Sequence, residues 1–291
     1  MPKKGLSPAD KLRALLAEPG LVIMPCCFDA FSAKLIEQAG FPLTFMSGFA
    51  VSASRLGLPD TGLISYGEML DQGRNICSAV SIPVIGDADT GYGNALNVKR
   101  TVQGYAQAGF ACVMIEDQVA PKRCGHTRGK QSVSRGEALA RIRAAVDARE
   151  EDADILIMAR TDTRATHGLE EALWRSQAFA DLGADIIFLE APRTEPEMRA
   201  FCTQVAAPTM ANMVEQGETP VLPPARLQEI GYKIAAYPLT LLSAAGRAMQ
   251  EALLALKQGQ PPERLLDFAA LRDLVGFPAY YEAEQNYVIN D

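Results

Sequence analysis

The stretch PVIGDADTG, residues 83–91, is a short apolar run that ends in two acids and a glycine. Such near-continuous hydrophobicity is typical of a strand that is covered on both faces, as in a parallel sheet. The pattern recurs in seven further runs, which are LVIMPCCFD (21–29), LTFMSG (43–48), CVMIEDQ (112–118), ILIMARTD (155–162), IIFLEAP (186–192), PTMANM (208–213) and KIAAYP (233–238). The sequence therefore predicts eight strands.

The segments between these runs have the apolar spacing of amphipathic helices, for example 30–40, 95–109, 135–150 and 169–183. Several of them end in glycine, which is a helix stop signal. Eight strand–helix units in about 250 residues are typical of an α/β protein with a (β/α)8 TIM barrel rather than an open sheet. Because the alternation never breaks, we expect residues 1–291 to form a single barrel domain. Helical patterns from about residue 241 exceed what a barrel requires, and we expect them to contribute to an oligomer.

The composition excludes several classes of function. With 48% apolar and 22% charged residues and no uninterrupted apolar segment long enough to span a bilayer, the chain is predicted to be soluble. A net charge of −7 argues against a nucleic acid or an anionic membrane as a partner. The N-terminal stretch has no pattern of a secretory signal, so we expect a cytoplasmic protein. Two histidines are too few for a His-rich metal site.

Barrel enzymes carry their chemistry at the carboxyl ends of the strands. The polar residues that close the eight runs include Asp87 with Asp89, Glu116, Arg160 and Glu190. Carboxylates that converge in a cleft repel one another unless a cation holds them, and hard oxygen ligands favour Mg²⁺. The alternative for the two aspartates is a turn that merely ends the strand. The alternative for Arg160 is an ion pair inside the barrel.

The segment PKRCGHTRGK, residues 121–130, holds a cysteine among basic residues. Proline and two glycines predict irregular structure, and the basic side chains predict an exposed surface loop. Cations beside Cys124, such as Lys122 and His126, would stabilise its thiolate and favour a nucleophile or a proton donor. The alternative is an incidental exposed cysteine.

The motifs MSG (46–48), GDADTGYGN (86–94), IEDQ (115–118), PKRCGH (121–126), MARTD (158–162) and LEAP (189–192) together resemble the isocitrate lyase and phosphoenolpyruvate mutase superfamily. The resemblance runs from about residue 8 to 280. It implies a TIM barrel, a homotetramer with the last helix swapped between subunits, and a loop that closes over the substrate. It also implies Mg²⁺, which Mn²⁺ can replace, and a 2-hydroxy or 2-keto carboxylate substrate.

Carried over by motif, the resemblance assigns roles to individual residues. Asp89 would bind Mg²⁺ directly, and Asp87, Glu116 and Asp60 would hold water molecules on the metal. Cys124 would be the general acid. The remaining residues would bind the substrate or assist catalysis, and they are Phe45, Ser47, Gly48, Asp87, Lys122, Gly125, His126, Arg160, Glu190, Asn212 and Pro238.

Within the superfamily, Cys124 favours a carbon–carbon lyase over a phosphonomutase, since a phosphorus–carbon rearrangement needs no proton donor there. Ser243 stands where methylisocitrate lyases have an arginine, and Phe45 stands where they have a tyrosine. Both changes favour a smaller dicarboxylate, as in the branch of 2-alkylmalate lyases and petal death protein. Pro238 stands where oxaloacetate hydrolases have a serine. Methylisocitrate lyase, oxaloacetate hydrolase, phosphonomutase and a non-catalytic barrel remain as alternatives.

Overall fold

The computed structural model describes residues 5–125 and 129–287, and the eight predicted runs each contain one strand of a closed parallel barrel. The strands are β1 (Val22–Cys27), β2 (Thr44–Met46), β3 (Val84–Asp87), β4 (Cys112–Glu116), β5 (Leu156–Thr161), β6 (Ile186–Leu189), β7 (Thr209–Asn212) and β8 (Ile234–Tyr237). Strands adjacent in the chain are adjacent in the sheet, and β1 pairs with β8 to close it. The predicted (β/α)8 TIM barrel is confirmed.

The helices alternate with the strands, as the apolar spacing predicts. They are α1 (Pro8–Ala17), α2 (Ala30–Gln38), α3 (Gly48–Val51), α4 (Tyr66–Ala79), α5 (Ala95–Ala108), α6 (Arg135–Glu151), α7 (Thr163–Thr166), α8 (Leu169–Asp181), α9 (Glu195–Gln204), α10 (Pro224–Ile230), α11 (Thr240–Lys257), α12 (Phe268–Val275) and α13 (Phe277–Glu284). A π-helical turn, Ser52–Leu56, continues α3. Across residues 5–125 and 129–287, no helix combines the length and the apolar character needed to cross a membrane.

The interior of the barrel is filled by one face of each strand. Met24, Ile85, Met114 and Met158 are among the buried side chains that pack there, separate from the layer between the strands and the helices. Ala9 and Leu12 of α1 belong to the same interior cluster and have no exposed surface. Helix α1 therefore packs onto the apolar part of the barrel interior.

The two-residue period of a strand decides where the polar residues go. Side chains two positions apart point to the same face, so the residue two after each interior apolar residue also faces the barrel axis. The pairs are Ile85 with Asp87, Met114 with Glu116, Met158 with Arg160, Phe188 with Glu190, and Met210 with Asn212. The barrel interior therefore has two layers. The lower layer is apolar, and the upper layer, which lies nearer the carboxyl ends of the strands, is polar.

The chain divides into two compact units, Met1–Leu241 and Leu242–Asp291. The first unit contains the barrel. The second contains most of α11, with α12 and α13, and many of its large apolar side chains are exposed, including Met249, Leu253, Leu254, Leu256, Leu265, Leu266, Phe268, Phe277 and Tyr280. Leu274 is the one buried residue among those of the second unit that the structure describes. The single domain over residues 1–291 stays a prediction.

Candidate active site

A pocket of about 170 Å³ lies at the polar end of the barrel. A cavity of about 150 Å³ accommodates a benzene ring, so this pocket has room for a small organic acid. The residues that line it include Cys124, the acidic residues Asp60, Asp87 and Glu190, and Arg160. The structure thus brings charged groups from distant parts of the sequence together with a thiol.

Arg160 is surrounded by carboxylates. Its Nε and Nη2 donate to the two oxygens of Asp162 at 2.8 and 2.9 Å. Glu190 lies 3.2 Å from Nη2, and Glu116 lies 3.3 Å from Nε. Burial alone would lower the pKa of Arg160, but these three carboxylates outweigh it and raise the pKa well above its usual value. The predicted alternative, an ion pair inside the barrel, is therefore observed, and it fixes the orientation of the guanidinium beside the pocket.

Asp162 is itself fixed by a hydrogen bond to a second buried carboxylate. It has no exposed surface, and its backbone N–H donates to Asp117 Oδ1 at 2.9 Å. Asp117 Oδ2 accepts from Thr161 and from the Arg175 guanidinium, at 2.7 and 3.1 Å. A charged side chain that is fixed by such buried bonds loses little freedom when it binds a ligand.

Asp87 is bound by backbone amides on both of its oxygens. Gly48 N–H donates to Oδ2 at 3.1 Å, and Asp89 N–H donates to Oδ1 at 3.0 Å. A Cβ atom on Gly48 would lie 2.4 Å from Asp87 Oδ2, so only glycine allows this approach. Ser47 precedes α3 as its N-cap, and its hydroxyl accepts from Ala50 N–H at 3.4 Å. Gly48, which the resemblance assigns with Ser47 to the substrate-binding or catalytic residues, thus lies against Asp87.

Lys122 inserts its ammonium group between two carboxylates. Nζ lies 2.6 Å from Asp60 Oδ1 and 2.9 Å from Asp89 Oδ1, and the three side chains are 5 to 6% exposed. This position corrects the prediction of an exposed loop, because a basic side chain is readily buried where carboxylates compensate its charge. Cys124 is half-buried, and His126 lies outside the described residues.

Burial and charge shift the proton affinities in this cluster. Burial raises the pKa of Asp89 to about 6, against the opposing charge of Lys122, and Asp87 and Asp60 add to the increase. Burial also raises the pKa of Glu116 well above its usual range, although Arg160 opposes this. For Lys122, burial acts to lower the pKa, but the surrounding carboxylates raise it well above its usual value. The cluster therefore favours a bound positive charge.

The donor set suits a divalent metal ion. Asp60 Oδ1, Asp89 Oδ1 and Glu116 Oε1 are buried oxygens without a hydrogen-bond donor, apart from the close ammonium of Lys122 at the first two. Hard carboxylate oxygens of this kind are the ligands that Mg²⁺ prefers. Among residues 5–125 and 129–287, no group of three or more acidic, histidine or cysteine side chains is arranged so that it could hold a metal ion. The residues therefore fit Mg²⁺ in chemistry, while Lys122 supplies the cationic charge between Asp60 and Asp89.

Most of the predicted site residues lie together. Those that line the pocket are Phe45, Ser47, Asp60, Asp87, Cys124, Gly125, Arg160, Glu190, Asn212 and Pro238. Gly48, Asp89, Glu116 and Lys122 lie next to it through the contacts described above. Sequence reasoning missed the apolar lining residues Phe49, Val214 and Leu239. They follow strands by two to three positions, but nothing in their residue types distinguishes them from ordinary packing residues.

Comparisons with known proteins identify relatives of the whole chain. Residues 12–257 match the family model of phosphoenolpyruvate phosphomutase. The chain is 44% identical over 286 residues to 2,3-dimethylmalate lyase of Eubacterium barkeri, covering 97% of this chain and 99% of that protein. It is 40% identical over 277 residues to 2-methylisocitrate lyase of Aeropyrum pernix, covering 94% and 89%. The structure of oxaloacetate acetylhydrolase with 3,3-difluorooxalacetate matches with a TM-score of 0.93 and 34% identity over 97% of both chains.

Proposed function

The chain belongs to the isocitrate lyase and phosphoenolpyruvate mutase superfamily, and within it we propose a carbon–carbon lyase that cleaves a 2-alkylmalate to pyruvate and a short carboxylic acid. The observation that carries the proposal is that Cys124 lines the same pocket as Ser47, Asp87 and Glu190. A lyase must protonate the fragment that leaves, and a thiol in the pocket is a suitable donor. A phosphoryl rearrangement would have no use for it.

The reaction requires one proton removal and one proton delivery. The 2-hydroxyl of the substrate loses its proton to the Glu190 carboxylate, whose Oε2 lies 3.2 Å from Arg160 Nη2. The C2–C3 bond then breaks, and C2 becomes the carbonyl carbon of pyruvate. The electron pair of the broken bond stays with the leaving fragment and moves into its carboxylate. Cys124 Sγ–H donates its proton to C3 of that fragment. The same bond cleavage gives propionate from 2,3-dimethylmalate and acetate from 2-methylmalate.

The lining of the pocket favours an alkyl substituent over a third carboxylate. Apolar side chains form much of the wall, and Phe188, Val214 and Leu239 are among them. Of the described residues that line the pocket, Arg160 is the one cation, and three carboxylates already face it. A further substrate carboxylate would be desolvated without a partner, which is unfavourable. The 44% identity to 2,3-dimethylmalate lyase supports the same substrate class.

Mg²⁺ or Mn²⁺ is the proposed cofactor. Asp89 would bind the ion directly, and Asp60, Asp87 and Glu116 would hold its water molecules. When bound, such an ion supplies positive charge beside the carboxylate and the 2-oxygen of the substrate. The buried oxygens of Asp60, Asp89 and Glu116 support this assignment.

One assay separates the candidate reactions. Pyruvate release, coupled to lactate dehydrogenase, is measured with 2-methylmalate, 2,3-dimethylmalate and 2-methylisocitrate, each with Mg²⁺ and with EDTA, and succinate is followed separately. We expect Mg²⁺-dependent turnover of the malates. Turnover of 2-methylisocitrate alone would indicate methylisocitrate lyase. If none of the three substrates is turned over, oxaloacetate is tested with detection of oxalate and then a phosphonate with detection of its own product, and turnover of either alone would replace the proposal with a hydrolase or a mutase.

A homotetramer with exchanged C-terminal helices is the proposed assembly, supported by the exposed apolar residues of α11 to α13, such as Leu253 and Phe268. Light scattering on the intact protein tests it, and a monomer at micromolar concentration would contradict it. The cytoplasm is the proposed location, because the six cysteines, all within the described residues, form no disulfide.

A further inference from the structure

Gln118 binds the backbone of one residue with both ends of its amide. Nε2 donates to the Arg123 carbonyl oxygen at 2.8 Å, and Oε1 accepts from Arg123 N–H at 2.9 Å. The residue is 1% exposed. Arg123 therefore has both of its main-chain polar groups bound by a single buried side chain.

Gln118 is a fixed base for this contact. Its own carbonyl oxygen accepts from Arg141 Nη1 at 2.7 Å, and the same nitrogen donates to the Glu116 carbonyl oxygen at 3.2 Å. Gln118 also forms an antiparallel bridge with Ser132, and Val119 N–H donates to the Gln131 carbonyl oxygen at 2.8 Å. The amide that binds Arg123 is thus tied to the end of β4.

A second anchor lies on the other side of Cys124. Lys130 Nζ donates to the carbonyl oxygen of Gly125 and lies 3.7 Å from Asp162 Oδ1. The Lys130 side chain is 4% exposed, so its ammonium is committed to these buried partners. The residue before Cys124 and the residue after it are each bound by a buried side chain from outside the segment 121–125.

The segment between the two anchors fits tightly onto the charged layer. A Cβ atom on Gly125 would lie 2.4 Å from Glu190 Oε2 and 2.6 Å from Arg160 Nη2. A displacement of about 1 Å at a reacting group can reduce a rate about a hundredfold. Because Gly125 packs this closely, the position of the neighbouring Cys124 thiol depends on the position of the main chain.

We propose that Gln118 and Lys130 are positioning residues, which hold the main chain on either side of Cys124 so that its thiol faces the pocket. The effect of this positioning on catalysis rests on the proposed function, in which Cys124 is the proton donor. The positioning of the main chain does not depend on that function. Neither Gln118 nor Lys130 lines the pocket, so each acts through the backbone.

The test measures how fast iodoacetamide alkylates Cys124 in the intact protein without substrate, using the mass of the Cys124 peptide. Gln118→Met keeps the length of the side chain but removes its donor and acceptor, and Lys130→Met removes the ammonium. In both variants we expect Cys124 to be alkylated about tenfold faster or more. Each hydrogen bond lost shifts the equilibrium between the anchored and the released main chain severalfold. Gln118→Glu keeps the acceptor for Arg123 N–H and should be intermediate. Rates equal to that of the parent protein in both methionine variants would overturn the proposal.

Two controls make the result specific. Gln72 donates to the Phe28 carbonyl oxygen at 2.9 Å, away from this segment, so Gln72→Ala should leave Cys124 alkylation unchanged. The buried thiols of Cys27 and Cys112, which do not line the pocket, report whether each variant is folded, because they should stay unmodified.

Kinetics adds a second readout that a merely structural role would not give. With a substrate that is turned over, the methionine variants should lose kcat more than tenfold while KM changes less than threefold, because proton delivery and not binding is impaired. If Cys124→Ser were fully active, the proposed role of Cys124 as proton donor would fail, while faster alkylation of Cys124 in the methionine variants would still support the anchors. If the parent enzyme were active but the methionine variants showed unchanged Cys124 alkylation, the positioning role of Gln118 and Lys130 would be wrong and the proposed function would stand.

Discussion

Two layers of the same barrel, separated by two residues on each strand, have opposite properties. The lower layer holds Met114, Met158 and Phe188, which are at most 2% exposed and pack with other apolar side chains. The upper layer holds Glu116 and Arg160 on two of the same strands, β4 and β5, and these are also buried but charged.

The difference shows that burial by itself does not identify a core. The lower layer lowers the free energy of the folded state because apolar surface leaves water. The upper layer gains much less, since the desolvation of charges offsets most of their mutual attraction. Its arrangement is explained by the pocket beside it. We therefore expect substitutions in the upper layer to change activity or ligand binding, and substitutions of lower-layer residues that do not line the pocket, such as Met158, to change stability.

Cys124→Ser should have the largest effect and should leave stability unchanged. Removal of a general acid reduces turnover by about 10²- to 10⁴-fold. The assay is pyruvate release from 2,3-dimethylmalate, with the midpoint of thermal unfolding measured in parallel. Cys202→Ser is the matched control, because Cys202 is also partly buried but lies on α9, outside the pocket. An active Cys124→Ser enzyme would remove the thiol from the mechanism.

Met158→Ala tests the lower layer. Met158 has no exposed surface, and its truncation should reduce the free energy of unfolding by about 2–5 kcal/mol. Urea denaturation measures the change, and kcat in the folded protein should stay near that of the parent. Met158→Leu is the control and should lose less than about 1.5 kcal/mol. A stable but inactive Met158→Ala variant would contradict the division into two layers.

Asp89→Asn tests the upper layer without an activity assay. The loss of a carboxylate should weaken Mg²⁺ or Mn²⁺ binding by at least about 10- to 100-fold, which titration calorimetry measures. Asp71→Asn removes an exposed carboxylate that pairs with Arg55 at 2.8 Å, and its metal affinity should match that of the parent. Equal affinity in Asp89→Asn would refute the ligand assignment.

Lys99→Met should have the smallest effect, and its change in the free energy of unfolding serves as the reference for substitutions in both layers. Lys99 pairs with Glu151 on the outer surface, where the two side chains are 26% and 56% exposed. Such a pair contributes about 0.2–1 kcal/mol, and less at high salt. Urea denaturation at two salt concentrations checks this, and a loss above about 2 kcal/mol would show that the outer surface is not a neutral reference.

The barrel could be predicted because its signal is local and repeated. Each run such as PVIGDADTG contains a strand, and the residue two after an apolar one shares its face by geometry alone. That rule is sufficient to place Asp87, Glu116, Arg160, Glu190 and Asn212 in one layer. The chemical character of the layer follows from residue type, since buried charges at strand ends rarely serve packing alone.

The remaining features depend on contacts between distant segments, which a single sequence does not specify. Lys122 belongs to a stretch of basic residues typical of a surface, and only the positions of Asp60 and Asp89 explain its burial. Gln118 is one amide among many, and its two bonds to Arg123 depend on how the chain turns after β4. Asp60 was predicted from the family resemblance alone, because it follows no strand directly.

The apolar filling of the lower layer also governs how molecules enter and leave. Within residues 5–125 and 129–287, Ala9 and Leu12 of α1 pack onto the apolar barrel interior and have no exposed surface, so this helix covers the end of the barrel axis opposite the pocket. We expect the proposed substrate and both proposed products to pass through the end of the barrel where Cys124 lies. The two acids of the proposed cleavage would leave in sequence through the same space, and the one that leaves last would compete directly with the next substrate. Accumulated product should then act as a competitive inhibitor, so the enzyme would slow as its own products build up.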